Sequence, residues 1–298
     1  MKKNILSTRE KAFIISIFGP QLEKELTIEL QIGNLDERAT VKYCIISDNP
    51  TDDYDKEIIV LLAGFGSGWT GVSMLAYYLA ELGYKVCMLS LPGYGNSPNP
   101  EIYYYSSVWK FFWHGETLAA FAKQVFPGKE LHWIGHSMGA AILAKFAKNH
   151  DELVKSLMFL NPVGFKARKP FELSAKFLFN GLLHSLAFHG DPVWAELKKY
   201  LPAQKSPFTK ERLPQRVSEL NLLCEGSALE YLSKIHFDVE LAYLTAEWDF
   251  VEPCNSERFK MAHKNTSWYH LRGVFHNATM LKSDLTAEHI STFIESLS

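Results

Sequence analysis

The stretch IGHSMGAA (Ile134–Ala141) places a serine between two glycines, each two residues away. The residues before it, LHWIG (131–135), form a strand-like apolar run, and those after it, MGAAILAKFAKNH (138–150), have the composition of a helix. Small residues around Ser137 are typical of a sharp strand-to-helix turn, in which the backbone folds tightly. The helix then points its N-terminus at the serine, where free N–H groups and the helix dipole favour negative charge. This context predicts a nucleophile at Ser137.

A serine hydroxyl needs a neighbouring base, and the base needs an acid that orients it. In a strand–serine–helix arrangement the chain order is serine, acid, histidine. Asp249 lies in a turn just after the apolar run VELAYLTA (239–246), and His276 follows the run SWYHLRG (267–273). The order Ser137, Asp249, His276 is therefore the required one, and these three residues are the predicted catalytic triad.

The rest of the chain predicts an α/β fold with eight strands. The first two runs alternate in polarity and suit an antiparallel pair, whereas the other six are apolar throughout, as in a parallel sheet that is buried on both faces. The predicted strands are 25–32, 39–47, 57–64, 84–91, 131–135, 154–162, 239–246 and 267–273. Helical segments between most of them, at 70–82, 106–126, 137–149, 255–263 and the C-terminus, predict a mostly parallel sheet flanked by helices.

The interval 163–238 contains no convincing strand. Its segment PFELSAKFLFNGLLHSLAFHG (170–190) has a single polar stripe on an otherwise apolar helix, and that stripe consists of Glu172, Lys176, Asn180 and His184. We therefore predict a helical cap at 163–238, inserted into a core domain of residues 1–162 and 239–298. Two alternatives are a second helical domain that only packs, and a face that lies on a membrane surface, which the sequence disfavours.

Composition excludes several classes of protein. The formal net charge of −2 gives no indication of nucleic acid or an anionic membrane as a partner. The four cysteines, Cys44, Cys87, Cys224 and Cys254, have no metal-binding spacing and indicate a reducing, cytoplasmic setting. The apolar stretch at 12–18 is too short for a secretory signal, and no stretch has the length and apolarity of a membrane span.

Four motifs, each after a predicted strand, resemble the α/β-hydrolase fold in its capped serine esterase/lipase-like branch. They are LLAGFGSGW (61–69), LPGYGNS (91–97), GHSMGAAI (135–142) and GVFHNA (273–278). The resemblance runs from about Ile58 to the C-terminus. It implies the eight-stranded, mostly parallel sheet of that family, with an inserted helical cap.

The resemblance also assigns an oxyanion hole to the backbone N–H groups of Phe65 and Met138. The aromatic side chains of Phe65 and Trp69 are candidates for substrate binding, although Trp69 also suits the start of the next helix. Many members of the family have histidine where this chain has Ala63, so the support of this loop must come from elsewhere. The aromatic segment EIYYYSSVW (101–109) is a candidate for a channel lining or for core packing.

Four further residues near the predicted triad have other interpretations. Glu247 and Glu252 flank Asp249 and are alternatives for the acid. Asn161 occupies a position where relatives carry an acid, but its amide excludes that role. His136 is adjacent to the serine and is expected to point away from the site and to support the turn.

Together these features predict a serine hydrolase of the carboxylesterase or lipase type, which forms an acyl-enzyme on Ser137. The expected substrate is a small-molecule carboxylic ester or thioester with an apolar acyl or aromatic part, and no metal or cofactor is implied. A C–C bond hydrolase or lyase on the same triad is one alternative. A small-molecule receptor or scaffold that retains the triad is another.

Overall fold

The computed structural model describes residues 6–18, 23–32, 35–47, 57–99, 111–187, 191–236, 238–252, 259, 261–263 and 266–297. All eight predicted strands are present: β1 (Lys24–Ile32), β2 (Leu35–Ile46), β3 (Ile58–Leu62), β4 (Lys85–Ser90), β5 (Leu131–His136), β6 (Val154–Leu160), β7 (Glu240–Trp248) and β8 (Thr266–Phe275). They form one sheet in the order β1-β2-β4-β3-β5-β6-β7-β8. The β1–β2 and β2–β4 pairs are antiparallel, and every other pair is parallel, which confirms the fold class.

Helices follow most of the strands, as the alternating pattern predicts. They are α1 (Thr8–Phe18), α2 (Ser73–Glu81), α3 (Phe112–Val125), α4 (Met138–Asn149), α5 (Pro170–Ala187), α6 (Pro192–Leu197), α7 (Leu213–Glu225), α8 (Ala228–Leu232), α9 (Ala278–Leu281) and α10 (Ser283–Glu295). Short 3-10 turns occupy Trp69–Val72 and Asp151–Leu153. The predicted channel segment 101–109 lies outside the described residues, as does most of the helix predicted at 255–263.

The central strands are buried on both faces, because helices cover both sides of the sheet. On β3, Val60 and Leu62 belong to one core cluster, which includes residues of α3 and α4. Ile59 and Leu61 belong to the other cluster, which includes residues of α2 and α10. This alternation follows from the two-residue period of a strand. It explains why β3 and β5 are largely apolar, since neither of their faces meets water.

The helices α5, α6, α7 and α8 lie between β6 and β7, in the interval predicted to be a cap. Helices α5 and α7 pack on each other, and α8 packs on α4. Gly226, with a φ of +69°, separates α7 from α8. A side chain at Gly226 would lie 2.3 Å from the backbone nitrogen of Ala167. We refer to residues 163–238 as the insertion; their division from the core as a separate cap stays a prediction.

The first described helix, α1, packs on the core through Ile14, Ile17 and Phe18, which are buried. Its Phe13 ring meets the ring of Tyr77 on α2 edge-on, with the centroids 5.5 Å apart. Within the described ranges, no helix combines the length and the apolar character that crossing a membrane requires.

Three cysteines, Cys44, Cys87 and Cys224, are buried free thiols. Burial raises the pKa of Cys44 to about 12, so this thiol stays protonated and unreactive. The fourth, Cys254, lies outside the described residues. The cytoplasmic location inferred from cysteine usage stays a prediction.

We expect Gly135→Ala to destabilise the fold strongly. A Cβ at this position would lie 2.6 Å from the carbonyl carbon of Gly139 and 2.7 Å from the nitrogen of Ala140, both of which are backbone atoms. Overpacking of this kind should lower the free energy of unfolding by about 3 kcal/mol or more, measured by chemical denaturation.

The matched control for this change is Gly181→Ala. Gly181 lies inside α5, and a Cβ there meets no atom within 4 Å. This variant should gain stability, up to about 1 kcal/mol, from helix propensity. Equal losses at both glycines would contradict the close approach of β5 and α4.

Candidate active site

The structure brings Ser137, His276 and Asp249 together, although they lie far apart in the sequence. The Ser137 hydroxyl donates to Nε2 of His276 over 2.9 Å, and Nδ1–H of His276 donates to Oδ2 of Asp249 over 2.9 Å. All three side chains are buried. Burial removes competing water, so this hydrogen-bonded chain is able to carry a proton from serine to histidine.

Ser137 lies in a strained turn between β5 and α4. Its φ of +56° and ψ of −118° are rare for a residue with a side chain. The backbone holds this conformation through two hydrogen bonds: Ser137 N–H donates to Leu160 O over 2.9 Å, and Val163 N–H donates to Ser137 O over 3.2 Å. The turn thus projects the hydroxyl out of the sheet at the N-terminus of α4.

Asp249 follows β7, and its two carboxylate oxygens have separate partners. Oδ1 accepts the backbone N–H groups of Val251 and Glu252 over 2.9 and 3.3 Å, while Oδ2 accepts from His276. These bonds fix the carboxylate so that one oxygen faces the imidazole. Such an arrangement fits the orienting acid of a triad.

The two alternative acids are engaged elsewhere. Glu247 accepts the backbone N–H of Gly273 over 2.7 Å, and its side chain is exposed. Glu252 accepts the N–H groups of Gly164 and Phe165 and pairs with Arg168 at 3.4 Å. Burial raises the pKa of Glu252, although Arg168 opposes the shift. Glu252 therefore ties the start of the insertion to the turn that holds Asp249.

Two side chains hold the backbone of His276. Asn161 Nδ2 donates to His276 O over 2.7 Å, and Nε2–H of His136 donates to the same oxygen over 3.0 Å. Asn161 Oδ1 also accepts the N–H of Ala246 over 2.7 Å. The sequence identified Asn161 only as a residue that is not the acid. The expectation for His136 was partly wrong, because it lines the cavity and its ring lies 5.1 Å from that of His276.

The loop after β3 lies directly against the serine. A Cβ on Gly64 would lie 2.9 Å from Cβ of Ser137, so only a glycine permits this approach. The loop closes through its own bonds, with Ser67 N–H donating to Gly64 O over 3.1 Å and Trp69 N–H donating to Ser90 Oγ over 2.7 Å. These bonds support the loop where Ala63 replaces the histidine of many relatives. The oxyanion role of the Phe65 and Met138 N–H groups stays a prediction.

Of the two aromatic residues predicted to bind substrate, Phe65 lines the cavity and Trp69 does not. Phe65 lines the cavity beside Ser137, and its ring stacks on Phe177 of the insertion, with the centroids 5.5 Å apart. Trp69 is buried in the core, and its indole N–H donates to Glu23 over 2.7 Å. Trp69 is not among the residues that line the cavity described next, so a substrate contact there is the wrong interpretation. An aromatic identity alone does not reveal which side of a loop a ring occupies.

A cavity of about 670 Å³ opens over Ser137 and His276. Of the eight apolar side chains that line it, Phe65 follows β3 and the other seven come from the insertion: Phe177, Leu178, Leu182, Phe208, Leu213, Val217 and Leu220. The polar side chains that line it include Ser67, Ser174, Asn180, Arg216 and Asn277. A largely apolar cavity with a few polar groups near the reactive atoms suits a ligand with an apolar chain and one polar head. Across the described ranges, no group of metal-binding side chains is assembled.

Helix α7 is anchored to the core by a buried ionic cluster. Glu219 accepts from Arg216 over 2.6 Å, from Gln215 over 2.9 Å, from His114 over 3.2 Å and from the hydroxyl of Tyr94. The hydroxyl oxygen of Tyr94 also lies 3.6 Å from the sulfur of Met138. The cluster therefore connects the insertion to the residue after Ser137. No residue of the cluster is among the predicted site residues, although four polar residues at helical spacing (212, 215, 216 and 219) are a usable signal in the sequence.

The charge on Glu219 is stabilised by its partners. Burial by itself would raise the pKa of this carboxyl, but the Arg216 guanidinium and the hydrogen bonds of His114 and Tyr94 outweigh burial and lower it. The guanidinium of Arg216 also stacks over the Tyr94 ring, 3.6 Å from its centroid. A buried carboxylate with these partners stays ionised at neutral pH.

Comparison with known proteins agrees with this fold. The family model described as alpha/beta hydrolase fold matches residues 57–281. The chain is 29% identical over 124 residues to the probable lysophospholipase BODYGUARD 1 of Arabidopsis thaliana, a match that covers 40% of this chain and 26% of that relative.

Solved structures of similar shape cover almost the whole chain. A putative lipase from Acinetobacter baumannii has a TM-score of 0.67 at 18% identity and covers 100% of this chain and 99% of its own. A meta-cleavage product hydrolase has a TM-score of 0.67 at 15% identity, and the match covers 92% of this chain and 98% of the hydrolase. At these identities the likeness shows the fold alone.

The first prediction for the site separates Asp249 from its alternatives. We expect Asp249→Asn to lower the reactivity of Ser137 by about 10⁴-fold, because an amide favours the wrong tautomer of His276. The measurement is the rate at which a fluorophosphonate labels the serine.

The control is Glu252→Gln, which removes a neighbouring carboxylate that does not contact His276. This variant should keep a labelling rate within a few-fold of the parent but lose stability, because Arg168 stays buried without a full charge partner. A large loss of labelling in Glu252→Gln, with Asp249→Asn unaffected, would reverse the assignment.

The second prediction concerns Glu219. Glu219→Gln should lower the free energy of unfolding by about 3 kcal/mol at neutral pH, because it leaves Arg216 buried without its charge partner. A lowered pKa means that the contribution of Glu219 is present above the ordinary value of 4.5 and is lost as pH falls below it.

Thermal unfolding at several pH values tests whether the stability that Glu219 contributes falls with pH, as a lowered pKa requires. The difference in Tm between parent and variant should shrink as pH falls below 4.5. Glu230→Gln, which breaks an exposed pair with Lys234, should change little and is the control. A difference that stays constant through this pH range would show that Glu219 contributes by shape and not by charge.

Proposed function

We propose that this chain, which belongs to the α/β-hydrolase fold family, is a serine hydrolase that cleaves carboxylic esters or thioesters with an apolar acyl chain. The observation that carries the proposal is the hydrogen-bonded series Ser137–His276–Asp249, which ends in a largely apolar cavity. The probable lysophospholipase among its relatives supports a lipid ester, although the match covers only a quarter of that protein.

The proposed reaction begins when a substrate carbonyl lies next to the Ser137 hydroxyl. Nε2 of His276 accepts the hydroxyl proton while Oγ bonds to the carbonyl carbon, and Asp249 stabilises the imidazolium through Nδ1–H. The backbone N–H groups of Phe65 and Met138 hold the resulting oxyanion. Removal of one such donor typically costs about 3 kcal/mol of transition-state stabilisation.

The second half of the reaction returns the enzyme to its starting state. The proton on His276 passes to the leaving alcohol or thiol, and the acyl group stays on Ser137. A water molecule then gives a proton to His276 and attacks the acyl carbon. The products are a carboxylic acid and free Ser137, with the proton back on the hydroxyl.

The cavity supports selection for the acyl chain. Phe177 stacks on Phe65 beside the serine, and Leu178, Leu182 and Val217 continue the apolar wall. Each methylene that leaves water for such a wall contributes about 0.8 kcal/mol. Near His276, Asn180 Nδ2 donates to Asn277 Oδ1 over 3.3 Å. These two amides are placed to meet the polar head of the substrate.

A chain-length series of p-nitrophenyl esters tests the proposed substrate. We expect kcat/KM to rise from acetate to medium-chain acyl groups by up to about fourfold per added methylene, until the cavity is filled. Steady-state rates with esters of two to twelve carbons measure this directly.

Ser137→Ala is the control for the chemistry and should abolish both turnover and fluorophosphonate labelling. A preference for acetate over every longer ester would contradict the apolar cavity as an acyl site. Tight binding of an ester that is never cleaved would favour the receptor alternative. Cleavage of a vinylogous diketone without ester turnover would favour a C–C bond hydrolase.

A further inference from the structure

Helix α5 has an unusual orientation for a helix in water. Its polar residue Asn180 is 8% exposed and donates to Asn277 beside His276, whereas Phe171 is 84% exposed and Leu178 is 79% exposed. A surface helix in water normally turns its apolar face to the protein core and its polar stripe to the solvent. Helix α5 instead exposes much of its apolar face on the surface of the protein.

Among the described residues of the insertion, seven large apolar side chains are exposed, and most of them line the cavity. We call them the collar: Phe171, Leu178, Phe179, Leu182, Phe208, Leu213 and Val217. Five of the seven, namely Leu178, Leu182, Phe208, Leu213 and Val217, line the cavity over Ser137. Clustered exposed apolar side chains of this kind mark a protein or membrane contact.

The segments that carry the collar, 166–182 and 205–217, have an excess of accessible positive charge. They have exposed or partly exposed lysines at 166, 169, 176, 205 and 210 and exposed glutamates at 172 and 211, and Lys176 pairs with Glu172 at 3.5 Å. Arg168 and Arg216 in the same segments are buried in ion pairs with Glu252 and Glu219. The net charge of −2 for the whole chain hides this local excess.

We propose that the collar is the surface through which this protein lies on an anionic phospholipid membrane, with the cavity opening toward the lipid. Apolar side chains enter the boundary between headgroups and acyl chains, and the lysines face the phosphates. The proposal extends the proposed function, since an acyl chain then passes from the membrane into the cavity without crossing water.

A membrane fits the collar better than another protein does. A protein partner on the collar would cover the opening of the cavity and block the path to Ser137. A second copy would in addition bring two lysine-rich faces together, which is unfavourable. A lipid surface contacts the same side chains while supplying the substrate.

Vesicle binding tests the proposal without turnover. The parent protein is the full chain with Ser137→Ala, which leaves lipids intact. It is sedimented with vesicles of phosphatidylcholine alone or with 30% phosphatidylglycerol. We expect about tenfold stronger binding to the anionic vesicles at low salt, and a decrease as salt is added.

The collar variant is Phe171→Ser with Phe179→Ser, two exposed residues that do not line the cavity. Its partition onto anionic vesicles should fall at least about tenfold. The matched control is Leu82→Ser. Leu82 is an exposed leucine that follows α2 and precedes β4, so it lies at the amino ends of the parallel strands, whereas Ser137 lies at their carboxyl ends. This control should bind as the parent does.

A second readout separates the surface from the catalytic proposal. With Ser137 intact, the collar variant should hydrolyse a soluble p-nitrophenyl ester at the parent rate but lose most activity on esters presented in anionic vesicles. Absence of turnover with binding intact would overturn the proposed function and leave the surface standing. Three results would overturn the surface: no vesicle binding, equal binding by the collar variant, or a collar-dependent dimer in the absence of lipid.

Discussion

The strained backbone of Ser137 is the constraint on which the site depends. A φ of +56° costs on the order of 1–3 kcal/mol for a residue with a side chain, and it persists because the surrounding structure enforces it. β5 and α4 meet so closely here that a Cβ on Gly135 would collide with the backbone of Gly139 and Ala140. A Cβ on Gly139 would lie 2.9 Å from the backbone oxygens of Leu62 and Ala63. Two backbone hydrogen bonds hold the turn: Ser137 N–H donates to Leu160 O, and Ser137 O accepts from Val163 N–H. The sheet thus provides the stability that lets the hydroxyl project into the cavity.

The position of His276 is set by residues outside its own loop. Asn161 after β6 and His136 at the end of β5 both donate to its backbone oxygen, and Asp249 after β7 accepts from its ring. Three neighbouring parallel strands therefore converge on one histidine at their carboxyl ends. These contacts hold the imidazole within hydrogen-bond distance of the Ser137 hydroxyl, at 2.9 Å.

The insertion joins the core through contacts of two kinds. On α7, the buried carboxylate of Glu219 binds Arg216 beside it and Tyr94 and His114 of the core, which fixes this side of the cavity. Breaking such a pair leaves an uncompensated charge, so the contact is hard to open. On α5, the described contacts with the core include the amide pair Asn180–Asn277, the packing of the Phe177 ring and the buried Leu173, whereas Phe171 is exposed. One side of the insertion is thus anchored, while the other faces the surroundings.

The sequence by itself determined the strand order along the chain, the turn at Ser137, and Asp249 and His276 as candidate partners, because each has a local signal in periodicity, small residues or position after a strand. Only the tertiary structure decided the contacts between distant segments, such as Asn161 with His276. It also decided that Trp69 is a core residue and that α5 turns Asn180 inward. Periodicity reveals that a helix has two faces, but which face meets the core depends on what the rest of the fold places beside it.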